Sequence, residues 1–207
     1  MSDLIKALAV VALGGTAIGV VYAVSTSQKR QRVEARVRRL YAQVVNELGL
    51  TDAPPLIFDS RVPNAASVNA QWIMVNPDWA VGLDSVLQQA GAGARRAAWL
   101  IILLHELGHH IDGHSTVAIG AWCNARAPWC EWDADAFAAH GAVRMKVSPD
   151  EAAAVLLALG DGCSLSHGCS RDRVARIVEI IDNASNPFLA HLPVYNGLAA
   201  AGFPLLG

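Results

Sequence analysis

Hydrophobic positions along the chain fall into distinct patterns. Residues 7–24, ALAVVALGGTAIGVVYAV, are 18 uncharged residues that are apolar on every face. That is about the length a helix needs to cross a bilayer. From Val33 the pattern changes: Val33, Val37, Leu40, Tyr41, Val44, Val45 and Leu48 recur at helical spacing. They predict an amphipathic helix of about 20 residues that stops at Gly49. In TDAPPLIFDSRVPN the LIF run between prolines and turn residues predicts a short strand, and QWIMV within SVNAQWIMVNPDW predicts another.

AGAGARR then opens a long helix through WLIILLHELGHHI to Asp112 or Gly113. A loop with Gly120, Trp122, Cys123 and Pro128 leads to a helix over roughly Pro128 to Lys146. Ser148-Pro149-Asp150-Glu151 is a capping box with proline at the first helical position, so another helix starts there and runs to Gly160. DGCSLSHGCS reads as a loop, and Ser170 caps a last helix, RDRVARIVEIIDNA. The tail NPFLAHLPVYNGLAAAGFPLLG is apolar but broken by Pro193 and Pro204, which suits packing on the domain or lying at a membrane surface better than a second span. The expected architecture is mainly α with a small β-sheet, an α+β domain over residues 28–186. An anchor over 1–27 precedes it and an apolar tail over 187–207 follows.

Composition sharpens the reading of the first segment. Of the 207 residues 53% are hydrophobic and only 16% charged, less charge than a soluble domain usually carries. Residues 7–24 could be a cleaved signal peptide, with VYA ending at Ala23 as the cleavage site. The flanks favour an uncleaved anchor. Lys6 is balanced by Asp3, whereas Lys29, Arg30, Arg32, Arg36, Arg38 and Arg39 face only Glu34 after the run. The positive-inside rule then puts the N-terminus outside and the domain in the cytoplasm. The basic run suits anionic headgroups, and the net charge of −2 gives no reason to expect a nucleic-acid partner. Cys123, Cys130, Cys163 and Cys169 form an even set. Their pairing would point to an oxidising compartment, hence a domain outside, in conflict with the charge rule. Four buried thiols are the alternative. Nothing in the pattern specifies an oligomeric state.

Candidate chemistry lies in HELGHHIDGH, His105 to His114. On a helix His105 and His109 share a face and both imidazoles can reach one metal ion. Glu106 sits beside the first, placed to take a proton from a water the metal activates. The longer pattern HExxHxxGxxH fails, because Asp112 and Ser115 stand where its glycine and third histidine would be. On the next helix, in WCEWDADAFAAH, Glu131 and Asp135 are four apart. Glu131 is the candidate third ligand, and Asp135 can accept the outer N–H of a ligating histidine. A solvated helix face is the plain alternative for both. His110 reads as a surface or outer residue, His114 and His140 as polar residues near the rim with substitute ligands as the alternative, and His191 as structural.

HELGHH, EWDADAFAAH followed by VSPDEAA, and SHGCSRDRVARI, in this order, resemble the membrane-anchored zinc endopeptidases of the HtpX and CAAX-prenyl-protease family over roughly residues 60–181. The resemblance implies a zincin-like fold, one Zn²⁺ per chain and hydrolysis of a peptide or protein substrate. It also implies that His167 and Arg173 stabilise the oxyanion, although Gly168 stands where the family has proline. A strand before the active-site helix would bind substrate, which here falls on Asn64, Ala65, Ala66 and Ser67; a plain core strand is the alternative. Only 21 residues separate His109 from Glu131, too few for the membrane hairpins of multi-span members. The expectation is a membrane-tethered zinc metalloendopeptidase. A cell-wall peptide hydrolase outside the cell and a silent membrane-tethered peptide-binding protein are the alternatives.

Overall fold

The computed structural model describes residues 17–116, 123, 129–160, 162–164 and 168–185. The elements in chain order are α1 (Ala17–Leu48), β1 (Leu56–Phe58), β2 (Ala65–Val68), β3 (Trp72–Val75), α2 (Pro77–Gln89), α3 (Ala92–Ile111) and α4 (Trp129–Arg144). After these come α5 (Pro149–Ala152), a 3-10 turn (Ala153–Val155), α6 (Leu156–Leu159), β4 (Cys163–Ser164), β5 (Gly168–Cys169) and α7 (Ser170–Ser185). The chain is mainly helical with a small sheet.

α1 begins inside the expected anchor and continues without interruption to Leu48. No proline or glycine lies between Val24 and Leu48 to end it. The greater part of residues 7–24 lies outside the described residues, among which no helix is long and apolar enough to cross a membrane. Val33, Val37, Tyr41, Val44 and Leu48 are buried, so the helical periodicity of that segment marks the face that packs on the core.

In the three-stranded sheet β3 is central: it pairs parallel with β1 and antiparallel with β2. β2 is therefore an edge. Helix α2 follows at once, because Asn76 caps it by accepting from the Asp78 and Trp79 backbone N–H groups and Pro77 occupies the first turn. Asp84 on α2 is 3% exposed and gathers three donors. Arg36 from α1 reaches it at 2.8 and 2.9 Å, Arg95 from α3 at 2.7 Å through Nε, and Trp99 Nε1 at 3.2 Å. This network binds three helices together away from the cavity described below.

The centre of the fold is α3 against α4. Residues Ala97 to Leu104 are almost wholly buried, which is why the sequence is apolar all round there. The two helices approach closely at Gly108 and Gly141. A Cβ on Gly108 would stand 3.1 Å from both Ala134 Cα and Phe137 Cβ, and one on Gly141 would overlap Leu104. The capping box at Ser148 and Glu151 forms as the sequence predicts. The helix it starts is not continuous, however: it passes through the 3-10 turn before stopping at Gly160. α7 covers α4 through buried Val174, Ile177 and Ile181.

Candidate metal centre

His105 and His109 sit one turn apart on α3, and Glu131 lies in the first turn of α4. The buried run before His105 fixes the rotation of α3, and the glycine contact brings α4 close enough for Glu131 to meet the imidazoles. The two histidine Nε2 atoms are 3.1 Å apart. Glu131 Oε2 lies 3.4 Å from His105 Nε2, and Glu131 Oε1 lies 3.4 Å from His109 Nε2. A tetrahedral zinc with N and O ligands at about 2.0–2.2 Å keeps neighbouring donors about 3.3–3.6 Å apart. The triad approaches that spacing on all three edges. Two imidazole nitrogens aimed at each other also need a proton or a cation between them. Both observations fit a divalent metal.

Charge balance leads the same way. Glu106, Glu131 and Asp135 converge on the centre. Among the described residues that line the cavity Arg173 is the one arginine or lysine beside them, so the site gathers negative charge that a bound cation would offset. Asp135 is 4% exposed. Its Oδ1 is 2.9 Å from His105 Nδ1, so it holds the outer edge of that ring. Arg173 in turn grips Asp135 with two bonds, Nε to Oδ2 at 2.7 Å and Nη2 to Oδ1 at 2.8 Å, and lies 3.1 Å from Glu131 Oε2. Burial works to raise the Asp135 pKa, but Arg173 and His105 outweigh it and hold the carboxyl at about 2. Burial likewise opposes the charge on Glu131, yet His105 and His109 hold its carboxyl far below the usual range. At His105 burial favours the neutral ring, while Asp135, Glu131 and the charge of Glu106 lift the pKa to about 10 in the metal-free chain.

His109 has its own outer partner. Gly113, at φ +68°, lets the chain reverse at the end of α3, so Gly113 N–H donates to His110 O and His114 N–H to His109 O. That reversal lays His114 Nδ1 3.1 Å from His109 Nδ1. Burial and the charge of His109 lower the His114 pKa, which keeps its ring neutral and able to accept a hydrogen bond from His109 Nδ1–H. The next residue, Ser115, bonds to Ser67 Oγ and accepts from Ala70 N–H, both at 2.9 Å. Asn69 and Ala70 take φ of 52° and 50° in the β2–β3 turn, so Ser115 steadies a turn an alanine adopts only at a cost. Ser67 N–H donates to Glu106 Oε2 at 2.8 Å and fixes one carboxylate oxygen.

These groups line a cavity of about 740 Å³. Asn64, Ala65, Ala66 and Ser67 form one wall. Trp79, Ile101, Ile102 and Ile177 give it an apolar side. Asn64 O accepts from Asn76 N–H toward β3, whereas Ser67 N–H points away from β3 to Glu106. Strand alternation therefore turns Ala65, like Ser67, toward the cavity.

The structure thus brings together His105, Glu106, His109, Glu131, Asp135, Arg173 and residues 64–67. Arg173 is 5% exposed, bonds to Asp135, lies beside Glu131, and its Nη2 stands 3.4 Å from His105 Nε2. His167 and His191 lie outside the described residues. Gly168 has φ +73°, which a proline ring cannot take. His110 and His140 do not line the cavity. Sequence reasoning left His114 at the rim and passed over Ser115. The signal for both was Gly113, a helix-ending glycine that folds the next residues back over the last turn. All four cysteines are paired, Cys123 with Cys130 and Cys163 with Cys169.

Comparison of the chain with protein-family models, with curated proteins and with solved structures found no match.

Proposed function

We propose that this chain is a zincin-like, zinc-dependent endopeptidase, related to the HtpX and CAAX-prenyl-protease family that its motifs resemble. One observation carries the reading: two histidine nitrogens and the Glu131 carboxylate meet at near-tetrahedral spacing, with Glu106 beside them, on a cavity walled by an edge strand. His105, His109 and Glu131 would hold one zinc, which when bound would supply Lewis-acid activation of a water and the scissile carbonyl. Ser67 N–H orients Glu106, whose carboxylate takes the proton of the attacking water and passes it to the leaving amine. Asp135 and His114 keep the two rings turned Nε2-inward. Ala65, facing the cavity on the free edge of β2, offers its backbone to an extended peptide. Arg173 keeps Asp135 ionised, and as a cation, with His167 as an N–H donor, it is the proposed stabiliser of the oxyanion.

The peptide wall and the base together favour catalysis over a silent binding protein, which has no use for Glu106. A second reading concerns the substrate. The two disulfides favour a domain on the oxidising side of a membrane, where cell-wall peptides are the targets, against the basic flank of residues 7–24 that favours the cytoplasm. Incubating the zinc-loaded full chain with a mixed peptide library, and separately with cross-linked cell-wall peptides, tests both. Cleavage lost in Glu106→Gln at unchanged zinc content supports a peptidase, and the library that is cut names the substrate class. Cleavage retained in that variant contradicts the mechanism.

A further inference from the structure

The Cys123–Cys130 disulfide lies against the metal centre. Cys130 precedes the ligand Glu131 on α4 and is 4% exposed, and both cysteines line the same cavity wall as His114. A nitrogen of His114 and the two sulfurs all lie within 4.8 Å of one another. The cysteine Cα atoms are 5.7 Å apart. While the bond is closed the sulfurs have no charge and are poor ligands. Opened, they become two soft thiolate donors beside an imidazole, a set that selects zinc and other thiophilic ions. Tetrahedral zinc with two cysteine sulfurs at about 2.3 Å holds them about 3.8 Å apart, a separation that the released side chains of residues 123 and 130 can span. Two thiolates neutralise a divalent ion, so a second cation there adds no net charge next to the first.

We propose that reduction of the Cys123–Cys130 disulfide opens a second metal site, made of the two thiolates and His114, for a thiophilic divalent cation. The reductant is a small dithiol reaching the bond through the cavity. Its thiolate attacks one sulfur to give a mixed disulfide, and its second thiol closes on the first. The dithiol leaves as its own disulfide after giving two electrons and two protons to the cysteines. Binding of the cation then releases both thiol protons to solvent. Because His114 touches His109, filling this site alters the outer partner of a ligand in the first centre, and the redox state of one bond is thereby tied to the affinity of the other site. The site does not depend on the peptidase reading, since it needs only the three donors.

The test uses the full chain carrying Cys163→Ser and Cys169→Ser, so that no other thiol contributes. It is reduced with excess dithiol, freed of it by gel filtration, and titrated with Co²⁺ alone. The first centre has no sulfur ligand, so thiolate-to-cobalt charge-transfer absorption in the near ultraviolet reports only the second. The expected result is about one cobalt per oxidised chain without that band, and about two per reduced chain with it. Adding His114→Ala should weaken the band-forming cobalt at least about tenfold while the thiols remain. Adding Cys123→Ser and Cys130→Ser should abolish the band, with the helical circular dichroism of the same sample showing that the chain is folded. No charge-transfer band in the reduced chain, or a band indifferent to His114→Ala, overturns the proposal.

Discussion

Asp84 and Asp135 are two buried aspartates, each gripped by arginine, yet only one belongs to a candidate site. Asp84 takes Arg36, Arg95 and Trp99, which fill its acceptors within the helical core. Asp135 takes Arg173 and then passes its influence outward, through His105 Nδ1, to an Nε2 that faces another Nε2 across 3.1 Å. A buried ion pair with a depressed carboxyl pKa is therefore no mark of function by itself. The mark is a network that ends on two imidazole nitrogens and a carboxylate gathered at one point, beside a cavity. Asp84 closes a joint between α1, α2 and α3, whereas Asp135 braces a candidate metal ligand.

The largest effect that would sharpen the contrast is on turnover. Glu106→Gln should lower peptide hydrolysis by about 10²- to 10⁴-fold with zinc retained, as expected for loss of a general base. Next is the joint. Asp84→Asn leaves the Arg36 and Arg95 charges without their partner and should cost about 3 kcal/mol in urea unfolding, at the low end because Arg36 can re-solvate. Zinc per folded chain should not change. Burial works against the Asp84 charge, but Arg95, Arg36 and Trp99 hold its carboxyl below the usual range. A pKa lower in the folded chain than in the unfolded one stabilises above about pH 4, and that contribution drains away as pH falls. Unfolding measured from pH 6 downward should show an acid-side loss in the parent that is smaller in Asp84→Asn. If Asp84→Asn instead released the metal, the division between joint and site would fail.

Asp135→Asn should weaken zinc binding by about 10- to 100-fold, read by competition with a chelating dye. Ser115→Ala removes two hydrogen bonds from the β2–β3 turn and should cost about 1–2 kcal/mol of stability while raising KM about fivefold more than it lowers kcat. An effect of Ser115→Ala on kcat alone would mean that the edge strand does not carry the peptide.

Periodicity made much of this legible. The all-round apolar run before His105 is the central buried helix, the spacing of Val33 to Leu48 is the packed face of α1, and the four-residue intervals of HELGH and EWDAD put each pair on one side of a helix. What escaped was set by local caps and by contacts between distant segments. α2 was hidden because NPDW reads equally as the end of a strand, although Asn76 and Pro77 are a helix start. The break between Ala152 and Leu156 leaves no trace in a run of alanine and leucine. His114 and Ser115 lie past the end of α3, where helical spacing says nothing and the left-handed turn at Gly113 decides. The pairing of the cysteines was open too, since spacing alone does not choose among the possible pairs.

The central claim is that His105, His109 and Glu131 hold a metal. The most direct measurement is the zinc content and affinity of the full, oxidised chain, set beside Glu131→Ala and Asp84→Asn. The account predicts about one zinc per chain, lost or sharply weakened in Glu131→Ala and untouched in Asp84→Asn. A well-folded chain that takes up no zinc, or that binds it equally well without the Glu131 carboxylate, would contradict it.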